Sequence, residues 1–422
     1  MQSLAAGPPP QLPLSPQTLS KAPSQAPSPH PSAQREAADS QRQEHAAWRR
    51  VCAGRASVVA LVLVPPDLLL ARSAWVNPLP HKAGPGLPEL LLQAWAAMPS
   101  RTVLAALLQQ AQPWRRAASD QGLDLATTDC LRAPDPHDAY FRIARSAPGL
   151  ADGSADGLAV EAPACPSAIL VDSLLASLAL FVDETPAASE FHDYAVIGDA
   201  LLAACISAVG ADRRLTVACL GRHHTQTPNA DLATQPPSAP TPLQMRAPDP
   251  VRRWLRGHQL FAALSQGLVI TLQQLQQANA QGDAAGVERA LLQVALLYDA
   301  SAAAFRFTAD FDPVVYATTI RPSMCEPYTP KGFSGTLSVD HGVLVRQLVA
   351  LRGPLATAQQ QHPLAYQRMR AAIERVYADH KWVCARFDGA SVPSLRTSSH
   401  AGESTAVDML DRFRSRRMGL LP

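Results

Sequence analysis

Apolar positions recur at steps of three and four residues through much of this chain, the spacing that gathers side chains on one face of a helix. The pattern is most regular in the C-terminal part. There it predicts helices over 252–280, 284–307, 342–352, 364–387 and 405–417. Weaker versions predict helices over 87–98, 103–112, 168–182 and 194–209. Ser57–Val64, rich in Val and closed by Pro65-Pro66, reads as a buried strand. Asp120–Ala164 is interrupted by Asp-Pro, Pro-Gly and Asp-Gly pairs and reads as loops with short helices. Strand signals are scarce and no repeat is evident, so the expected fold class is mainly α.

Two stretches carry no such pattern. Residues 1–33 hold nine of the 38 prolines among Ser, Gln and Ala. Proline blocks helix and sheet, and so little apolar surface cannot offset the entropy of ordering. A disordered Pro-rich tail is expected over 1–45, with a PxxP ligand as the functional alternative. His223–Pro250 holds seven prolines with Thr, Gln and Asn and reads as a flexible surface loop. These stretches delimit a smaller, mostly helical N-terminal region, 46–222, and an all-helical C-terminal domain, 251–422.

Composition narrows the function classes. Among 422 residues, 37 Lys and Arg face 35 Asp and Glu, a formal net charge of +2. This argues against a nucleic-acid binder, which needs a basic face. The seven cysteines are scattered without a CxxC pair, so neither a disulfide framework nor a zinc ribbon is indicated. That usage fits a reducing compartment. The longest apolar runs, Val58–Val64 and Ala168–Val182, fall short of the ~20 residues that span a bilayer. No basic segment followed by an apolar one opens the chain. A cytoplasmic location without a membrane partner is expected, and the oligomeric state is not legible.

The helix predicted over 364–387 is the most informative. Ile373, Val376, Tyr377, Val383, Cys384 and Phe387 share one face, and His380 falls on that face. An imidazole aimed into an apolar interior is either satisfied by hydrogen bonds or used as a ligand. A haem iron asks for such a group, neutral and rigidly held in an apolar slot. His258 shares a face with Trp254, Leu255 and Phe261; it reads as core or as the opposite wall of a cofactor pocket. His341, just after the helix-start signal Ser338, reads as an early-turn histidine that hydrogen-bonds locally. In Asp312–Pro322, Arg321 ends an apolar helical segment five residues after Tyr316. Its planar fork suits a carboxylate, and a surface arginine is the plainer reading. The Gly/Ser segments Lys331–Gly335 and His400–Thr405 are either ligand-covering loops or simple connections. His223-His224 lacks a carboxylate at helical spacing and is not taken as a metal site. P-loop, dinucleotide, nucleophile-elbow and HExxH signatures are absent.

The C-terminal order is Tyr316…Arg321-Pro322, then the His380 helix, then Ala401-Gly-Glu-Ser-Thr405 and a last helix over 406–417. This order resembles the haem-dependent indoleamine/tryptophan dioxygenase superfamily, nearest to the monodechloroaminopyrrolnitrin synthase family, over about residues 251–422. The resemblance implies haem b with His380 as axial iron ligand, and a tryptophan-like substrate and O₂ as small-molecule partners. It places Tyr316 over the distal pocket, Arg321 on the substrate carboxylate, and Gly402, Ser404 and Thr405 in a closing loop. His258 would lie toward the distal side. The segment from Arg321 to His380 is short for that family, with Gly332–Gly335 standing where haem-lining residues are expected. The function implied is oxidation or rearrangement of an indole ring in specialised metabolism; the alternatives are a tryptophan 2,3-cleaving dioxygenase or a non-enzymatic helical protein.

Overall fold

The computed structural model describes residues 31–70, 86–97, 100–120, 131–132, 135–146, 166–184, 192–215, 220, 249–388, 394–395 and 405–422. The described chain is mainly helical, as the periodicity predicts. Its longer helices are α1 (Pro31–Ala56), α2 (Pro66–Leu70), α3 (Leu87–Ala96), α4 (Arg101–Asp120), α5 (Pro136–Phe141), α6 (Pro166–Glu184) and α7 (His192–Ala208). They continue with α8 (Pro250–Gln281), α9 (Ala284–Thr308), α10 (Val339–Ala350), α11 (Arg352–Gln361), α12 (Pro363–Asp388) and α13 (Ala406–Met418). Helix α1 begins at Pro31, within the span expected to be disordered; a proline at the first helical position loses no hydrogen bond. Residues 1–30, and 223–248 of the expected surface loop, lie outside the described residues.

Residues 44–422 make one compact unit, and among the described residues a single buried apolar cluster is fed by both regions delimited in the sequence. Helix α9 lies at its centre, packed on α7, α8 and α12. It is apolar and long enough to cross a membrane, but 83% of its most apolar window is buried within the protein. Its neighbour α8 comes very close at Gly257. A Cβ there would lie 1.9 Å from Thr308 Oγ1 and 2.9 Å from Thr308 Cα, so no larger residue fits.

The strand expected over 57–64 is β1 (Leu61–Leu63), joined by β2 (Leu131–Arg132) and β3 (Ile143–Ser146) in a three-stranded sheet of order β1-β3-β2. Strands β1 and β3 are parallel, with Leu61 opposite Ile143; β2 runs antiparallel to β3. Buried glutamines of α8 bind the backbone around this small sheet. Gln266 accepts from Val64 N (3.3 Å) and donates to Val64 O (2.7 Å), while Gln259 donates to Val59 O (3.1 Å) and Phe141 O (3.2 Å). Such groups are buried at little cost because their donors and acceptors are matched.

Candidate functional site

Five helices line a partly open pocket. Helix α8 contributes Phe261, Ser265 and Leu268, and α9 contributes Tyr298, Ser301 and Phe305. Helix α10 contributes His341 and Leu344, α12 contributes Ile373, Val376, Tyr377 and His380, and α13 contributes Arg417. Its lining is of the kind found in small-molecule and cofactor sites. Apolar walls with a few polar groups are what such sites present.

His380 reaches the pocket because α12 keeps one apolar face over seven turns. Ala365, Met369, Ala372, Ile373, Val376, Val383 and Phe387 are all buried on it. The His380 ring stacks on Phe305 with centroids 4.4 Å apart and planes at 15°. Burial, reinforced by nearby His341, pulls its pKa down to about 4. At neutral pH it is therefore an uncharged imidazole with a lone pair, the form that binds iron. The preceding residue anchors the helix. The Arg306 fork on α9 holds Asp193 of α7 with bonds of 2.6 and 2.7 Å and also donates to Asp379. Cys384, half-buried, follows His380 by one turn of α12.

His341 is the second imidazole in the pocket. Burial, then the charge of Arg417, pulls its pKa down to about 4, and Arg417 donates to its Nε2 at 3.4 Å. An acceptor role at Nε2 puts the ring proton on Nδ1. The first turn of α10 is fixed through the adjacent Asp340, which accepts from Arg145 (3.1 Å) and from Gln266 (3.3 Å). Arg145 also grips Asp138 through Nε at 2.7 Å. Burial raises the Asp138 carboxyl, but the neighbouring His137 and the hydrogen bonds from Arg145 outweigh this and hold it below the ordinary range. The polar atoms of Asp135, His137 and Asp138 lie within 4.8 Å of one another, a metal-like spacing. Asp135 is occupied as the N-cap of α5 and Asp138 by Arg145, so this trio reads as structural.

The hydroxyls differ in what they offer. Ser265 and Ser301 donate to carbonyls one turn back, Phe261 O (2.9 Å) and Leu297 O (2.8 Å), which leaves their lone pairs for the pocket. Burial pushes the Tyr298 phenol up to about 12, so it stays a neutral donor at pH 7.

Of the residues singled out in the sequence, His380 is on the pocket wall. His258 is not; it stacks on Phe141 at 3.9 Å, its Nδ1 paired with Trp254 O at 2.8 Å, and burial takes its pKa to about 3. Tyr316 is buried between Phe387 (4.4 Å) and Trp254 (5.5 Å), and neither it nor the half-buried Arg321 lines the pocket. Thr405 is the N-cap of α13: its Oγ1 accepts from Asp408 N, and the Asp408 carboxylate accepts from Thr405 N, a complete capping box. Gly402 and Ser404 lie outside the described residues. The groups that sequence reading did not assign to a site are His341, Tyr298 and Arg417. His341 carried a signal, an imidazole on the Leu344 face; Arg417 carried none beyond its place in a basic helix end.

The family described as SfmD 3-methyl-L-tyrosine peroxygenase matches residues 76–367 of this chain. A 3-methyl-L-tyrosine peroxygenase from Streptomyces lavendulae is 29% identical over 331 residues, 76% of this chain and 81% of that protein. A crystal structure of reduced SfmD, soaked with sodium hydrosulfite, aligns over 77% of this chain and 97% of its own, with 22% identity and a TM-score of 0.48. The family match spans His341 and stops within α12, ahead of His380 and Arg417. It takes the place of the nearer likeness to the monodechloroaminopyrrolnitrin synthase family that the C-terminal order suggested.

Proposed function

From the premise that this chain belongs to the SfmD 3-methyl-L-tyrosine peroxygenase family of oxidoreductases, we propose that it is a haem peroxygenase that places one oxygen atom on the ring of a tyrosine-type amino acid. The single observation that carries the cofactor assignment is the pair of neutral imidazoles, His380 and His341, opening onto one apolar pocket. The donor set fits: a haem needs a lone-pair nitrogen for iron, apolar walls for the macrocycle and a cation for its propionates. The family name favours a peroxide over O₂ as oxidant and a phenol over an indole.

His380 would hold the iron, on a helix fixed by the Arg306–Asp379 contact. When bound, haem supplies the two-electron chemistry that splits a peroxide, so that one oxygen becomes the new ring hydroxyl and the other leaves as water. The protein's part is positioning and proton handling. The His341 lone pair at Nε2, once released from Arg417, can take a proton from a peroxide. Phe261, Phe305 and Leu344 exclude water, and the Tyr298 hydroxyl offers a donor to a phenolic or peroxide oxygen.

The test is an absorption spectrum of the purified chain loaded with haem, followed by turnover of 3-methyl-L-tyrosine with ¹⁸O-labelled hydrogen peroxide. The expected result is a Soret band that shifts on reduction and a product heavier by one labelled oxygen. His380→Ala is expected to abolish haem retention, and full retention in that variant would remove the ligand assignment. Labelled oxygen arriving from O₂ instead, or faster turnover of tryptophan, would overturn the reaction class.

A further inference from the structure

Arg417 lies in the last turn of α13 and is 8% exposed. A guanidinium stays charged at ordinary pH, and burial of that charge is costly unless acceptors fill its fork. Two other arginines meet that requirement with paired carboxylates, while buried Arg253 lies over the Phe307 ring and buried Arg256 donates to Val59 O and Gln259 Oε1, and neither of these lines the pocket. Arg145 sits between Asp138 and Asp340, and Arg306 between Asp193 and Asp379. Among the described residues no carboxylate pairs with Arg417; its side chain makes one long contact, 3.4 Å to His341 Nε2. It lines the pocket, and its charge is felt by the Tyr298 phenol across it. A buried fork that faces a cavity, with neutral hydroxyls and an imidazole around it, is a receptor for two coplanar oxygens.

We propose that Arg417 is the carboxylate-binding residue of this pocket, taking either the α-carboxylate of the amino-acid substrate or a propionate of the cofactor. The inference rests on the peroxygenase reading for the identity of those two ligands. It moves the role expected of Arg321 to a residue more than ninety positions later, on a different helix. The contact to His341 is then the one the fork makes when no carboxylate is bound. Binding a carboxylate frees the imidazole lone pair.

The experiment compares ligands that differ by the carboxylate alone, on the full chain and on Arg417→Gln. Protoporphyrin IX and its dimethyl ester are titrated by fluorescence quenching; 3-methyl-L-tyrosine and its decarboxylated amine are titrated by calorimetry. Loss of a charge-assisted pair is expected to weaken the carboxylate-bearing ligand by about tenfold to hundredfold and to leave its partner within about twofold. A loss confined to the amino acid assigns the substrate carboxylate; a loss confined to the porphyrin assigns the propionate. Equal losses with and without the carboxylate, no loss of either, or a native chain that binds none of the four ligands overturns the proposal. Arg417→Lys keeps the charge without the fork and is expected to restore part of the discrimination; it also serves if the Gln variant does not fold. The metal-free porphyrin reports on the carboxylate without iron ligation. Failure of the haem reading, seen in the His380→Ala spectrum, is therefore separable from failure at Arg417.

Discussion

Acid should destabilise the cofactor-free chain well before its carboxylates titrate, and His380 should account for a definable part of this. In the folded state His380 and His341 are held at about 4 and His258 at about 3, against 6.5 in an unfolded chain. Between pH 6.5 and 4 the unfolded chain therefore binds protons that the folded chain refuses. Stability is level above pH 6.5 and falls as the pH drops through this window. For His380, lowering the pH from 7.5 to 4.5 costs about 2.5 kcal/mol by proton linkage. His341 and His258 add similar amounts, so the three together approach the roughly 5–15 kcal/mol that holds a typical domain folded. Asp340 and Asp379, whose carboxyls burial pushes up, act in the opposite sense at the acid end. A comparison of variants removes their contribution. Urea unfolding of the native chain and of His380→Gln is measured at pH 7.5 and 4.5. The difference between the two pH values should be about 2 kcal/mol smaller in the variant. An identical pH dependence in both proteins would refute a neutral, buried His380.

Two further outcomes follow from the packing. Gly257→Ala drives a Cβ into Thr308 backbone and side chain, and thermal unfolding should show a loss of about 1–3 kcal/mol without loss of helix content. Thr405→Ala removes the capping box of α13, and should lower the melting midpoint by roughly 1–3 °C. Because α13 carries Arg417, the same substitution should also weaken carboxylate binding in the titrations above, whereas Gly257→Ala should not.

The legible parts of this protein were those written in local periodicity. Helices α8, α9 and α12 were readable to within a few residues because their apolar faces persist for many turns, and His380 was placed on the correct face for that reason. Helix α1 escapes the sequence reading because it is rich in Ala, Gln, Glu and Arg, with few apolar residues to mark a face, and its start sits in a proline-rich context. Arg417 was not readable as a site residue. Nothing local distinguishes it from Arg416; its burial arises from how α13 docks on α12, a contact between segments separated by a break in the described chain. The sequence shows His341 only as a local hydrogen-bonder, because its partner Arg417 is 76 positions away. Tyr316 and Arg321 stand out by spacing and by analogy of order, but the fold packs Tyr316 against Phe387 and Trp254, and neither residue lines the pocket.

The central position of α9 has a consequence for biogenesis. Its face bearing Tyr298, Ser301 and Phe305 is covered by α12, and α12 is made more than fifty residues later. During synthesis α7, α8 and α9 can collapse together while that greasy face stays open to solvent and to chaperones. The cavity is a product of late assembly: it exists only after α12 and α13 have left the ribosome and docked. Prosthetic-group loading therefore waits for α12 and α13, and a nascent chain stalled before Pro363 should be held by chaperones as an empty, half-walled groove.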